Sequence, residues 1–257
     1  MAKFYAEAIK KSDRIDRLKE NLFRKMPEIE SARARLLTES YRQTENEPTI
    51  IRRAKAFQHI LRNIPIIIRD EELVVGSTTI APRGCQTYPE FSYEWLEAEF
   101  DTVATRTADP FYISEEAKKE IAEADKYWKG KTTSELATSY MAPETLVAMK
   151  HNMFTPGNYF YNGVGHVTVH YDWVLAVGFS GIAEKAKKAL EACKVSDADY
   201  ARRSRFLQAV IISCEAAVAY AKRYAVLARD MAQKEGNAAR RSELLRIADN
   251  CERVPEY

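Results

Sequence analysis

The densest gathering of chemically capable residues lies at 157–166, which reads Gly-Asn-Tyr-Phe-Tyr-Asn-Gly-Val-Gly-His. Its glycines open backbone conformations closed to other residues and let the chain approach a ligand closely. Asn158, Asn162, Tyr159, Tyr161 and His166 supply donors and acceptors suited to a small hydroxylated molecule. The same residues equally suit an aromatic loop packed on a core, with the amides closing Asx-type turns. Taken by their chemistry alone, both readings stay open. The glycine spacing matches neither the dinucleotide-binding fingerprint nor a Walker loop, so a phosphate cradle is not supported.

Other groups offer less. His166 and His170 stand four apart, which on a helix would suggest a metal pair. The intervening Val167-Thr168-Val169 is β-branched and alternating, and in an extended segment the two side chains stand about 13 Å apart. No metal site is therefore expected. His59 falls beside the apolar face of a helical pattern and reads as a packing or surface residue. His151 follows Lys150 at a helix end, where a cation suits the helix dipole. Ser180, within Gly178-Phe179-Ser180-Gly181, lacks the second spacer of a nucleophile elbow. Glu71-Glu72 and Glu115-Glu116 read as turn and helix-start charges. Cys85, Cys193, Cys214 and Cys251 form no C-x-x-C pair, which argues against structural zinc and fits a reducing, cytoplasmic setting. No complete catalytic constellation can be assembled from these residues.

Mostly helices must hold the 157–166 loop. The 257 residues are 46% hydrophobic, enough for one large or two modest cores. Lysine and arginine total 39 against 37 acidic residues, a net charge of +2, which gives no basic surface for nucleic acid or an anionic membrane. No apolar run approaches the roughly 18 residues of a membrane span, and residues 1–17 lack the apolar stretch of a secretory signal.

Pro27 and Glu28 open a helical pattern with Ile29, Ala32 and Leu36 on one face. Pro48 opens another, with Ile50, Ala54, Phe57 and Leu61, stopped by Asn63 and Pro65. Residues 66–68 and 73–75 read as a small hairpin around 69–72, closed by Gly76. Residues 76–92 have no helical period, and such a stretch is usually functional or covered. Helical patterning resumes over 93–105 and again after Ser114, an N-cap followed by two acidic residues. Residues 154–170 read as a second irregular region. The last hundred residues are strongly helical, with a stripe of Ile211, Cys214, Val218, Ala221, Ala225 and Ala228, and later Leu244, Ile247, Ala248 and Cys251. Residues 254–257, Val-Pro-Glu-Tyr, read either as a docked terminus or as a cut within a longer chain.

Several segments resemble one known family. Arg17-Leu18-Lys19, Arg33-Ala34 with Thr38-Glu39-Ser40, Arg52-Arg53-Ala54, residues 65–76, Pro89-Glu90-Phe91-Ser92 and Ile113-Ser114-Glu115-Glu116 resemble the N-terminal third of glycyl radical enzymes of the pyruvate formate-lyase type. Residues 132–141 and 157–167 are more specific and look like the cobalamin-independent glycerol and propane-1,2-diol dehydratases. The resemblance shifts the 157–166 loop toward its functional reading.

The resemblance implies a helix-dominated α+β fold: the N-terminal helical part and first strands of a pyruvate formate-lyase-type α/β barrel, with residues 1–257 a partial domain. It implies a lyase of anaerobic metabolism, in which a separate radical-SAM activating enzyme installs a glycyl radical that passes to a cysteine thiyl. The thiyl takes hydrogen from substrate C1, a neighbouring glutamate deprotonates the C1 hydroxyl, and the C2 hydroxyl leaves as water. Carried over residue by residue, His166 is the catalytic and substrate-binding candidate and Asn158 a substrate-binding one. The radical glycine and the Gly-Cys-x-Glu segment are absent from this sequence, so the chain alone is expected to be inactive. No directly bound cofactor is expected, and a homodimer is implied for the full-length parent. A C–N or C–S lyase of the choline or isethionate type is the alternative within the family. A self-standing helical binding or scaffold protein is the alternative outside it.

Overall fold

The computed structural model describes residues 12–157, 159–162, 165 and 168–257. Helices dominate. In chain order they are α1 (Asp13–Phe23), α2 (Ala32–Gln43), α3 (Thr49–Asn63), α4 (Glu94–Glu97), α5 (Glu115–Trp128), α6 (Thr133–Ser139), α7 (Pro143–Lys150), α8 (Tyr159–Asn162), α9 (Tyr171–Glu191), α10 (Tyr200–Lys234) and α11 (Ala238–Arg253). Three short strands, β1 (Glu28–Glu30), β2 (Gly84–Gln86) and β3 (Tyr112–Ile113), form a parallel sheet with β1 in the middle. The helix-dominated α+β expectation therefore holds.

The start and stop signals read from the sequence are where the backbone uses them. Ser114 caps α5, its hydroxyl accepting the Ala117 amide at 3.1 Å. Pro48 precedes the first turn of α3, and Ile64, ahead of Pro65, leaves the helix at ψ 137°. The stripe along α10 buries Cys214, Ala225 and Ala228 and leaves Lys222 exposed. Tyr224 and Ala216 are buried there as well.

Three expectations need correction. Residues 28–30 are a strand, and the helix begins only at Ala32. Backbone partners decide this: the Glu28 amide donates to the Arg83 carbonyl at 3.1 Å, and the Pro27 carbonyl accepts the Tyr112 amide at 2.7 Å. The Glu30 carboxylate fixes the strand end by accepting the Ile80 and Ala81 amides. Residues 66–75, all described, form no hairpin. Ile68 instead buries against Tyr224, Ala228, Leu244 and Ile247 of α10 and α11, with Ile66 and Val75 packed beside it. Arginines replace a strand ladder. Arg69 donates to the carbonyls of Thr79 and Ala81, and Arg240 to those of Arg69 and Glu72. The helical stretch at 93–105 is shorter than its pattern suggests, reduced to α4 and a 3₁₀ turn at Val103–Thr105.

Among the described residues the core includes smaller clusters around Leu37, Ala56, Tyr93 and Trp128 and around Ile51, Ala54 and Ala209, and two that concern the site's frame. One joins β1, β3, α4 and α5 through Ile29, Ile113, Leu96, Val103 and Ile121. The other joins α10, α11 and the 66–75 segment.

Candidate functional site

The elements leading to the 157–166 loop are tied to one another by segments that the sequence singled out. In α2, the Arg33 guanidinium grips the Glu90 carboxylate, donates to the Thr87 carbonyl at 3.0 Å and lies 3.8 Å over the Tyr88 ring. The carbonyls of Glu90 and Phe91 accept the amides of Thr133 and Ser134, the first residues of α6. A capping box completes that helix start. The Thr132 hydroxyl accepts the Glu135 amide at 3.1 Å, and the Glu135 carboxylate accepts the Thr132 amide at 3.1 Å. Burial raises the Glu135 pKa, but donors from Gly130 and Thr132 outweigh it and hold the carboxyl below its ordinary value. α6 in turn contacts α8, the helical turn inside the loop.

Asn158 and His166 lie outside the described residues, as do Gly163, Val164 and Val167. Around them the loop is less irregular than its composition suggests, since residues 159–162 close a helical turn whose Phe160 amide donates to the Gly157 carbonyl at 2.9 Å. The Phe160 and Tyr161 rings meet edge-on at 4.9 Å. Beyond the loop, the His170 ring serves the backbone: Nδ1 accepts the Trp173 amide at 3.3 Å and caps α9. Sequence reasoning missed this role, and the available signal was a hydrogen-bonding side chain immediately before a helix.

Apolar side chains flank the loop without cover. Tyr140 is 83% exposed, Leu175 78% and Met153 77%, with Leu136, Val147, Phe154 and Tyr171 also open. Such a concentration marks a surface that associates with something.

The remaining candidates fall where their plainer readings put them. His59 Nε2 lies 3.0 Å from Glu39 Oε2 on the α2–α3 surface. His151 terminates α7. Ser180 lies within α9, its amide bonded to the Glu256 carbonyl. Burial pushes the thiols of Cys214 and Cys251 up, the opposite of a reactive thiolate. Among the described residues no group of three His, Cys, Asp or Glu is placed to hold a metal ion, and no helix is long and apolar enough to cross a membrane.

Helices predominate over a small parallel sheet, and the chain belongs to the pyruvate formate lyase-like family, whose model matches residues 8–257. Among solved structures it is similar to a Roseburia inulinivorans protein of 1,2-propanediol dehydration, at 68% identity over 97% of this chain with a TM-score of 0.92. It is likewise similar to the glycerol-bound B12-independent glycerol dehydratase of Clostridium butyricum, at 51% identity over 96% with a TM-score of 0.91. The (2S)-3-sulfopropanediol dehydratase of Klebsiella oxytoca is 35% identical over 94% of the chain. The chain spans 30% of the Roseburia chain, 32% of the Clostridium chain and 30% of the Klebsiella protein.

Proposed function

We propose that this chain is the N-terminal portion of a glycyl radical dehydratase that eliminates water from a small 1,2-diol, glycerol or propane-1,2-diol. The observation that carries the reading is the 68% identity, over 97% of the chain, to a protein of 1,2-propanediol dehydration. The uncovered apolar residues around the loop support it, since a part of a larger enzyme leaves its interdomain surface open.

In this reading His166 hydrogen-bonds the substrate hydroxyls and gives a proton to the departing oxygen, because expelled hydroxide is a poor leaving group without one. Asn158 lines the same pocket and fixes the diol through its amide. The aromatic residues beside them exclude water, which keeps a reactive intermediate from side reactions. None of the chain's own cysteines stands in the Gly-Cys-x-Glu context of the family's thiyl cysteine. The radical glycine, the thiyl cysteine and its glutamate therefore belong to the remaining part of the parent. That parent is a cytoplasmic homodimer served by a radical-SAM activating enzyme.

The test uses the full-length parent, activated without oxygen and supplied with each diol. Loss of water from a 1,2-diol yields an aldehyde, which is the product to be followed. His166→Ala should lower dehydration by about 10²–10⁴-fold, with the glycyl radical signal retained. An equal fall in radical yield and turnover would indicate misfolding and defeat the assigned role. A wild-type enzyme that leaves both diols unchanged defeats the substrate reading.

A further inference from the structure

Gly178-Phe179-Ser180-Gly181 fails as a nucleophile elbow, yet the chain does something unusual there. Gly178 has φ 62° and ψ 178°, so α9 is broken between Val177 and Phe179. The amides of Phe179 and Ser180 start a new helical run and lack intrahelical acceptors. They find acceptors in residues far along the chain: Phe179 N–H donates to the Pro255 carbonyl and Ser180 N–H to the Glu256 carbonyl, both at 3.1 Å. A β-carbon at position 178 would collide with the Glu256 carbonyl. One at position 181 would lie 2.6 Å from Val177 Cβ, so both glycines are required by the bend. Glu256 is held in turn by Lys222 of α10, Nζ to Oε2 at 2.7 Å.

The bend brings the two halves of α9 together. Lys185 Nζ lies 4.6 Å from the centre of the Trp173 ring. In a straight helix twelve residues are about 18 Å of axis. The first half, 171–177, is mostly exposed, and its cap, His170, is four residues beyond His166. Within this chain its direction is therefore set at Gly178 more than by packing of its own.

We propose that residues 254–256 act as a strap which caps the second half of α9 through backbone carbonyls and so fixes the direction of the first half, positioning the 157–166 loop. Lys222 and Gly178 are then positioning residues: neither meets substrate, and both act through the strap. The connection to substrate rests on the function proposed above; the connection to helix direction does not.

Hydrogen exchange and steady-state kinetics on the full-length parent test both parts. Gly178→Ala and, more mildly, Lys222→Ala should speed amide exchange across 171–181 by about three- to thirtyfold, the range expected for a lost cap. Exchange in α2, α3 and α5 should be unchanged. For the diol, kcat/KM should fall by about 10–100-fold, the cost of a misplaced binding group, while radical yield stays at the wild-type level. Lys222→Arg should restore both readouts. Unchanged exchange at 171–181 in the Lys222→Ala variant overturns the strap, and faster exchange with unaltered kinetics overturns its positioning role. Because exchange needs no turnover, a wild-type enzyme inactive on diols defeats only the functional reading, and the strap is then judged on exchange. Should Gly178→Ala unfold the whole protein, Lys222→Ala and its arginine rescue decide the question.

Discussion

Asp125 is 2% exposed on the buried stripe of α5, beside Ala124 and one turn from Ile121 and Trp128, and neither carboxylate oxygen has a hydrogen-bond partner. Burial, helped by the negative charge of Glu97, pushes its pKa up to about 7. In the unfolded chain it ionises near the ordinary value of about 3.9. The folded form thus keeps the proton that the unfolded form has given up. Stability is greatest on the acid side of this interval, declines as pH rises from about 4 to about 7 and levels off above. Carboxylates whose pKa is lowered by partners, Glu71 by Arg17 and Glu243 by Arg14, act in the opposite sense. Thermal melts of Asp125→Asn should show a smaller fall in Tm between pH 5 and pH 8 than wild type. An identical slope for the two proteins would remove Asp125 as its source. Nothing in the run Glu-Ala-Asp-Lys-Tyr-Trp announces this burial, because the face on which Asp125 falls is decided by what α4 and α2 pack against it.

At the scale of elements, α6 shows how much a short helix depends on its start. Seven residues cannot sustain a helix in isolation, and α6 relies on its capping box and on the carbonyls of Glu90 and Phe91. Thr132→Ala removes the hydroxyl that accepts the Glu135 amide, and should destabilise the protein by about 1 kcal/mol. Thr132→Ser should recover most of the loss, as read from urea midpoints. No difference between the alanine and serine variants would mean that the box contributes nothing. Local signals of this kind were legible from sequence: Ser114, Pro48, Pro65 and the α10 stripe all mark real boundaries or faces. The strands were not. Glu-Ile-Glu at β1 is too short to show a period, and the β-branched run at 66–75 looks like a hairpin because alternation cannot reveal whether a ladder partner or a helix pair receives it. Its true partners, Tyr224, Leu244 and Arg240, are far away in the chain.

Over the whole molecule, the candidate loop was legible as a composition and the bend in the helix that follows it was not. The loop at 157–166 stands out by its glycines, amides and aromatics, and its family resemblance is carried by the same residues. The bend at Gly178 has its cause in residues 255 and 256, beyond the reach of any local pattern. The parallel sheet has a consequence in time. β1 sits between two neighbours that come much later in the chain, pairing Ile29 with Cys85 on one side and with Ile113 on the other. During synthesis this central strand is made first and must wait unpaired until residue 86 has emerged and paired on one edge only until residue 113, since closing such long loops precedes any gain from the contacts. The adjacent helices α10 and α11 need only a short turn to meet. Pulse labelling during refolding should find amides of α10 and α11 protected before that of Ile29, and the reverse order would contradict this sequence of events. A small sheet at the start of the chain is thus a late arrival, and until it forms β1 keeps at least one edge open to pairing with another chain.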